Sequence, residues 1–284
     1  MSGTLYLVAT PIGNLDDITL RAIKVLQDVD IIAAEDTRHS LKLLNHLNIS
    51  KQLISYHRHN EEMKSDILID SLIAGKNIAL ISDAGTPVIS DPGEEIVKLA
   101  IENNIKIVPI PGACALISAL IASGLGTSEF TFIGFLPLNK KNRKEKLEKI
   151  MESTNTIILY EAPHKLLSTL QDLSNFLGSR KLVLARELTK IHEEFIFGTC
   201  EELLNRLENP KGEFVIIIEK NNNIEKTDIN FLNKLSLEEH FNFYINQGFS
   251  KNDAIKQIAK DKNVKKNDIY KHFTKEQIGN LTNT

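Results

Sequence analysis

Residues 4–26 read TLYLVATPIGNLDDITLRAIKVL, and this stretch decides the class of fold. Its opening run, Thr4 to Ala9, is short and apolar, as in a buried strand. The run ends at a Pro-Ile-Gly-Asn turn, after which Ile18, Ala22 and Leu26 recur at helical spacing. The stretch therefore predicts a strand, a turn and a helix, which together are the repeating unit of an α/β protein.

The same alternation of strand and helix repeats along the first 124 residues. Helical patterns such as Asn60 to Ala74 and Glu94 to Asn103 separate the further strand-like runs. Alternating strands and helices of this kind build a mainly parallel sheet with helices on its faces. The further strand-like runs are Asp30 to Ala34, Leu53 to His57, Ile78 to Ser82 and Ile105 to Ile110.

A second series of strand-like runs begins after Gly124-Leu125-Gly126-Thr127, where we place a boundary between two lobes. Two consecutive strands between Arg186 and Gly198 have no helix between them, which predicts an antiparallel hairpin and a mixed second sheet. The predicted lobes are therefore residues 1–124 and 125–220. The runs of the second lobe are Phe130 to Phe135, Thr156 to Glu161, Lys181 to Arg186, Glu194 to Phe197 and Phe214 to Glu219.

Residues 221–284 are predicted to form a linker and a small, basic helical extension. Asn221-Asn222-Asn223 opens a polar stretch that reaches Asn230, and no strand pattern follows it. Three short helical patterns then predict a unit with helix-turn-helix character. This segment has 10 basic and 8 acidic residues, whereas residues 1–220 have 24 and 29. The helical patterns are Leu237 to Asn246, Lys251 to Lys260 and Asn267 to Phe273.

The composition is that of a folded globular protein, with 42% hydrophobic and 25% charged residues. The longest apolar stretch, Ala113 to Ala122, is about half of the ~20 residues that a membrane-spanning helix needs. Because no basic segment precedes an apolar one at the start, we expect no signal peptide and a cytoplasmic protein. Cys114 and Cys200 lie far apart in sequence, so neither a disulfide framework nor a four-ligand zinc site is expected.

Three loops follow predicted parallel strands, at the edge of the sheet where α/β proteins bind ligands. They are residues 10–14, 83–93 and 109–113. The middle loop opens within Ser82-Asp83-Ala84-Gly85-Thr86-Pro87, where Gly85 and Pro87 impose a tight turn without a bulky side chain. A ligand could approach the backbone closely there. Asp83 either binds such a ligand or only stabilises the turn, and the pattern leaves both open.

Other charged residues after strands are equally consistent with structural roles. Asp91-Pro92-Gly93-Glu94 predicts a helix start, with Asp91 at the N-cap and Glu94 completing a capping box. In Glu35-Asp36-Thr37-Arg38, Asp36 or Thr37 could cap the next helix. Neither G-x-G-x-x-G after the first strand nor G-x-x-x-x-G-K-[ST] anywhere is present, which disfavours a dinucleotide or P-loop enzyme.

Taken in order, four motifs resemble the tetrapyrrole methylase superfamily. Within it, they are most similar to the branch of small-subunit ribosomal RNA cytidine 2'-O-ribose methyltransferases. The resemblance covers residues 4–220, and the tail is similar to the helical extension of that branch. The motifs are Val8 to Leu15, Glu35 to Arg38, Ser82 to Pro87 with Ser90 to Gly93, and Pro111-Gly112.

Two departures from the tetrapyrrole-making members argue against a porphyrin substrate. The first loop reads Ala9-Thr10-Pro11-Ile12-Gly13 in place of Gly-x-Gly-Pro-Gly. The usual Gly-Asp-Pro becomes Ser82-Asp83-Ala84. Both departures match the RNA branch.

The resemblance implies a two-lobed fold that binds S-adenosylmethionine in the cleft between its lobes. It implies methyl transfer to the ribose of a decoding-region cytidine, cytidine 1402, of 16S rRNA, within an assembled or assembling 30S subunit. It further implies a homodimer. The cofactor contacts that it implies are Pro11, Ser82, Asp83, Ala84, Gly85, Thr86, Ala113, Tyr160, Ala185 and Glu213.

Transfer of a methyl group to a ribose hydroxyl needs in-line positioning, and a general base or a cation beside the oxygen would help. No metal is required. We take Glu35, Asp36 and Arg38 as the candidate catalytic residues, with a carboxylate as base and Arg38 as phosphate or oxyanion partner. Arg186 and Glu187 are the alternatives in the second lobe.

Tail lysines are candidate contacts for RNA phosphates, although a solvated helical face explains their charge equally well. Two other functions remain open. One is a small-molecule methylase of the tetrapyrrole type, and the other is a helix-turn-helix regulator whose α/β part only senses a ligand. The lysines are Lys251, Lys256, Lys260, Lys262, Lys265, Lys266, Lys271 and Lys275.

Overall fold

The first unit contains a parallel five-stranded sheet whose strand order is β3-β2-β4-β1-β5. Every neighbouring pair in it is parallel, as predicted. The central strands β2 and β4 are buried at every position because helices cover both faces of the sheet. The strands are β1 (Thr4–Val8), β2 (Ile31–Ala34), β3 (Gln52–Ser55), β4 (Ile78–Ile81) and β5 (Lys106–Ile110).

Two apolar clusters cover the two faces of this sheet. Leu26 and Leu44 pack with Ile32 in the cluster on one face, and Leu68 and Ile96 belong to the cluster on the other face. Successive residues of a strand point to opposite faces, so the apolar strands supply both clusters. Helices α1 (Leu20–Asp28) and α2 (Thr37–His46) cover the first face, and α3 (Glu61–Ile73) and α4 (Glu94–Glu102) cover the second.

The second sheet is mixed, with the order β6-β7-β10-β8-β9. Only β6 and β7 pair in parallel, and β8 and β9 form the predicted antiparallel hairpin. The strands are β6 (Phe130–Gly134), β7 (Thr156–Glu161), β8 (Leu182–Arg186), β9 (Glu194–Gly198) and β10 (Phe214–Ile218). The helices of this half are α5 (Ala115–Ala122), α6 (Lys140–Glu152), α7 (Pro163–Leu177) and α8 (Cys200–Arg206).

Helix α5 packs on the second sheet and not on the first. Leu116, Ala119 and Leu120 share an apolar cluster with Ile158 and Val183. The chain therefore leaves the first sheet at the end of β5, ahead of the lobe boundary placed at residue 124. The lobe limits themselves stay a prediction.

Helix α4 begins differently from the prediction. Its N-cap is Gly93, at φ 140°, and no side chain caps it. The carboxylate of Glu61 instead accepts hydrogen bonds from the backbone N–H groups of Gly93, at 2.8 Å, and Glu95, at 3.4 Å. The prediction that Asp91 and Glu94 form a capping box is therefore wrong, because a carboxylate from α3 has taken that role.

The structure is a computed structural model that describes residues 2–221, 232, 235–246, 249–262 and 264–273. The chain divides into two units, Met1–Lys220 and Asn221–Thr284. Most of the predicted linker, from Asn222 to Asn230, lies outside the described residues, as does Lys275. Within the described ranges, no helix is both long enough and apolar enough to cross a membrane.

The second unit contains the three predicted helices, and each agrees with its prediction to within one residue at either end. Phe241, Ile255, Ile258 and Phe273 form its core. Short helices are marginal alone, so this shared apolar core holds them together. The helices are α9 (Leu237–Asn246), α10 (Lys251–Asp261) and α11 (Lys266–His272).

Candidate functional site

A cavity of about 610 Å³ lies where the carboxyl ends of the first sheet face the second sheet. This volume is within the range of about 300–1,000 Å³ that is typical of small-molecule sites. Loops after β1, β2, β4 and β5 form one wall, and residues of β7, β8 and β10 form the other. The lining includes Ile12, Glu35, Asp83, Ala84, Gly85, Thr86, Asp91, Cys114, Tyr160, His164, Ala185 and Glu213.

The loop after β4 is tied to the other two predicted ligand loops by hydrogen bonds. Gly85 forms an isolated antiparallel bridge with Thr10, whose N–H donates at 2.9 Å and whose carbonyl accepts at 3.0 Å. The hydroxyl of Thr86 donates to the carbonyl of Ala113 at 3.1 Å. The structure thus brings the three loops together at one edge of the sheet.

Gly85 has φ +86°, a conformation that favours glycine. A Cβ there would lie 3.1 Å from Cγ2 of Ile12. The positive φ strains any other residue at this position, and Ile12 would also have to move by a few tenths of an ångström to admit a Cβ. The wall of the cavity is therefore bare backbone at Gly85.

Asp83 links the loop after β4 to the loop after β2. Its Oδ1 accepts a hydrogen bond from the N–H of Asp36 at 3.0 Å. Asp83 also lines the cavity, beside Glu35. The two readings of Asp83 that the sequence left open, a turn stabiliser and a cavity residue, are thus compatible.

Three carboxylates, Glu35, Asp83 and Asp91, line the cavity together. Burial raises the pKa of Glu35, and the charges of Asp91 and Asp83 raise it further. Burial likewise raises the pKa of Asp91, with a contribution from the charge of Asp83. Carboxylates that lie close together in a partly buried site repel one another when they are ionised. A cation placed among them offsets that repulsion, so this arrangement stabilises a cation.

An aromatic side chain forms the second-sheet wall. The hydroxyl of Tyr160 accepts a hydrogen bond from the N–H of Leu116 at 3.2 Å, and burial raises the pKa of Tyr160 to about 12. The ring makes edge contacts with Phe132 and Phe135, at centroid distances of 4.9 Å and 5.8 Å. With Ala185 beside it, this wall offers an apolar surface to a flat ring.

The two lobes touch at the turn after β8. Lys190 Nζ lies 3.0 Å from a carboxylate oxygen of Glu187 and 2.9 Å from one of Glu213, which lines the cavity. A Cβ on Gly13 would lie 2.6 Å from Cγ of Lys190 and 2.9 Å from Oγ1 of Thr189. The loop after β1 therefore packs directly on this turn, which closes one end of the cleft.

Of the three candidate catalytic residues, Glu35 alone lines the cavity. Asp36 caps α2 and pairs with Arg38, whose NH2 lies 2.7 Å from its Oδ2. The hydrogen bonds from Arg38 hold the pKa of Asp36 well below its usual range. The Arg38 side chain is 89% exposed. The alternatives Arg186 and Glu187 line a separate groove.

Three predicted cofactor contacts lie just outside the cavity lining. Pro11 and Ser82 line a smaller groove nearby, and Ala113 contributes the carbonyl that binds Thr86. Sequence reasoning missed Asp91 as a cavity residue because its motif indicated a helix cap. Within the described part of the chain, no three His, Cys, Asp or Glu side chains are grouped so that they could hold a metal ion.

Two five-stranded sheets enclose a ligand cavity with a glycine-containing loop and carboxylates at its edge, which defines a two-lobed α/β protein with a small-molecule site. The chain belongs to the family of Tetrapyrrole (Corrin/Porphyrin) Methylases, whose profile matches residues 4–204. The family expected from the four motifs is thereby confirmed.

Among curated proteins, the chain is similar to Ribosomal RNA small subunit methyltransferase I of Halalkalibacterium halodurans. The two are 51% identical over 276 residues, which covers 96% of each chain. The protein of the same name from Bacillus subtilis is 47% identical over 271 residues, covering 94% of this chain and 93% of its own.

Solved structures share the fold at low sequence identity. Diphthine synthase superposes with a TM-score of 0.60 at 14% identity, over 76% of this chain and 90% of its own. Uroporphyrin-III C-methyltransferase from Thermus thermophilus, complexed with S-adenosylhomocysteine, gives 0.54 at 17% identity, over 76% of this chain and 97% of its own. The predicted two-lobed fold is thus confirmed.

Proposed function

We propose that this chain is an S-adenosylmethionine-dependent methyltransferase that modifies ribosomal RNA of the small subunit. The likeness that carries the proposal is 51% identity along 96% of both chains to a ribosomal RNA small subunit methyltransferase. The acceptor we propose is the ribose 2'-oxygen of cytidine 1402 in 16S rRNA, in an assembled or assembling 30S subunit. We further propose that the enzyme works in the cytoplasm as a homodimer.

The cavity fits the charges and shape of S-adenosylmethionine, which combines a flat base with a positively charged end. Asp83 and Asp91 form a negative region suited to that end. Tyr160 and its aromatic neighbours offer the apolar surface for the base. At Gly85 a Cβ would reach into contact with Ile12, so bare backbone leaves room for a ligand there.

When bound, S-adenosylmethionine supplies an electrophilic methyl group on sulfur. The protein has to place the ribose oxygen in line with it, exclude water and accept the hydroxyl proton. Glu35 suits the last task, since burial and two neighbouring carboxylates raise its pKa above the ordinary value of 4.5 and so make it a better proton acceptor. Asp83 fixes the backbone next to Glu35 through the N–H of Asp36.

Methyl transfer to three acceptors distinguishes this proposal from its two rivals. Purified enzyme and labelled cofactor are incubated with 30S subunits from a strain that lacks the enzyme, with naked 16S rRNA, and with a tetrapyrrole. We expect label in RNA alone, mapped by mass spectrometry to one ribose of the decoding region. Label in the tetrapyrrole would support the small-molecule rival. Cofactor binding without transfer to any acceptor would support the regulator.

Gly13→Ala is expected to weaken binding of S-adenosylhomocysteine roughly 10-fold, which corresponds to about 1.4 kcal/mol. The added methyl group would collide with Lys190 and Thr189 and would push the loop after β1 away from the second lobe. Titration calorimetry measures the affinity. Gly126→Ala is the matched control, because among the described residues a Cβ there meets only Oγ1 of Thr156, at 3.5 Å. Equal affinities in both variants would contradict the proposed closure.

The second unit offers cations for the RNA backbone. Lys256, Lys265 and Lys266 are exposed on α10 and at the start of α11. Lys262 instead donates to the carbonyl of Leu235 at 3.2 Å. Each lysine that neutralises a phosphate adds affinity that falls as the salt concentration rises.

Removing residues 231–284 is expected to weaken binding to 30S subunits or 16S rRNA at least ~10-fold at low salt while sparing cofactor affinity. The first unit has its own cores and contains the whole cavity, so the cofactor site should survive the truncation. Filter binding across a salt series and calorimetry with S-adenosylhomocysteine give the two affinities. Unchanged RNA affinity would refute a role for the tail.

A further inference from the structure

A second, smaller cavity of about 150 Å³ adjoins the main one, and Asp83 lines both. The loop after β1 forms one side of it. The first turns of α2 form the other side. We call it the α2 groove, and its lining is Thr10, Pro11, Leu15, His39, Ser40, Lys42, Leu43, Ser82 and Asp83.

A buried hydroxyl in the α2 groove has no partner. Ser40 is 2% exposed, and its Oγ forms no hydrogen bond with any residue that the structure describes. A serine inside a helix commonly donates to the carbonyl four residues earlier, but this one does not. An unpaired buried hydroxyl is destabilising, so a polar ligand atom in the groove would be stabilised there by bonding to it.

Two side chains that can donate hydrogen bonds to a phosphate border the same groove. His39 and Lys42 are exposed, and neither forms an ion pair with any side chain within the described ranges. The one acidic residue in the lining is Asp83, whose Oδ1 is already bonded to the N–H of Asp36. A lysine, a histidine and a hydroxyl around a small polar groove suit a phosphate and an adjacent sugar hydroxyl.

We propose that the α2 groove binds a ribose-phosphate unit of the RNA strand, next to the nucleotide whose ribose is methylated. Lys42 and His39 contact the phosphate, and Ser40 bonds a ribose oxygen. The groove is about a quarter of the size of the main cavity, and Asp83 lines both. RNA held there would therefore be aligned against the methyl donor. This inference rests on the proposed function.

Three variants test the α2 groove: Lys42→Ala, His39→Ala and Ser40→Ala. Lys98→Ala is the matched control, because Lys98 is exposed on α4, which covers the opposite face of the first sheet. Steady-state methylation of 30S subunits that lack the modification gives KM and kcat. Calorimetry with S-adenosylhomocysteine gives the cofactor affinity, and RNA binding is measured across a salt series.

We expect Lys42→Ala to raise KM for the subunits about 5–10-fold and to reduce the salt slope by about one. His39→Ala should likewise raise KM for the subunits, because it removes a hydrogen-bond donor to the phosphate. Cofactor affinity should not change. Ser40→Ala should raise KM while leaving or raising the melting temperature, since it removes an unpaired hydroxyl. A purely structural serine would lower that temperature.

Wild-type KM and salt slope in all three variants would overturn the inference. So would an equal loss in Lys98→Ala, because that result would show a general charge effect. If the wild-type enzyme methylates the subunits and the three variants behave like the wild type, the proposed role of the α2 groove is refuted and the proposed function is not. If the wild-type enzyme methylates no RNA, the proposed function fails and this inference fails with it.

Discussion

Glu35→Gln is expected to lower kcat for RNA methylation at least ~100-fold while leaving the affinity for S-adenosylhomocysteine within about 3-fold of wild type. Glutamine keeps the shape of the side chain but cannot accept a proton. Glu35 lines the cavity with Asp83 and Asp91 and has a raised pKa. Single-turnover methylation of 30S subunits measures the effect on the chemical step.

The pH profile distinguishes a base from a residue that only positions the substrate. Glu35 must be ionised to accept a proton, so kcat/KM should fall as the pH drops through its raised pKa, above the ordinary value of 4.5. Asp91→Asn removes a negative charge that raises this pKa, so the acid limb should move to lower pH. An acid limb that does not move would argue against Glu35 as the titrating group.

Two further variants complete this test. Glu102→Gln is the matched control, an exposed carboxylate at the end of α4, and it should retain wild-type activity. Arg38→Ala tests the predicted cation, and because its side chain is 89% exposed and paired with Asp36, we expect a loss below ~10-fold. Near-wild-type turnover in Glu35→Gln and Arg38→Ala together would refute the catalytic assignment of this cluster.

Gly85→Val is expected to weaken binding of S-adenosylhomocysteine about 10–100-fold, on the order of 1–3 kcal/mol, because the added side chain would distort the wall of the cavity. Gly85 has φ +86°, and a β-branched side chain there must also displace Ile12. A shift would break the paired hydrogen bonds with Thr10 and would fill part of the cavity wall. Calorimetry gives the affinity and scanning calorimetry gives the stability.

Gly124→Val separates the strain from the effect on the site. Gly124 has a similar φ of +70°, but a Cβ there meets no atom of the described residues within 4 Å. Both variants should therefore lose stability, whereas cofactor affinity should fall only in Gly85→Val. If both retain wild-type affinity, the loop after β4 is not the cofactor loop.

The local sequence pattern predicted most of the fold because apolar residues recur at different spacings in strands and in helices. The stretch from Thr4 to Leu26 forms a strand and a helix as predicted, and β7 begins and ends at the predicted residues. The hairpin of β8 and β9 followed from the missing helix between two apolar runs. These features depend on residues close together in sequence, where alternation and helical spacing are decisive.

The site was less predictable because it is assembled from distant segments. Asp91 looked like a helix cap, yet Glu61 from α3 supplies the bonds to the start of α4 and Asp91 lines the cavity. Conversely, Asp36 and Arg38 follow β2 and are close in sequence to the cavity residue Glu35. Their side chains nevertheless pair with each other outside the cavity. No local rule indicates which of two neighbouring carboxylates points inward.

The sequence by itself determined the order of strands and helices, the mixed second sheet and, through four ordered motifs, the family. The tertiary structure alone decided which polar groups meet. Parallel pairing of β1, β4 and β5 brings Thr10, Gly85 and Ala113 together although their positions in the chain are far apart. Packing of Gly13 against Lys190 then closes the cleft. These contacts arise from the parallel pairing of distant strands and from packing between lobes, which periodicity along the chain does not encode.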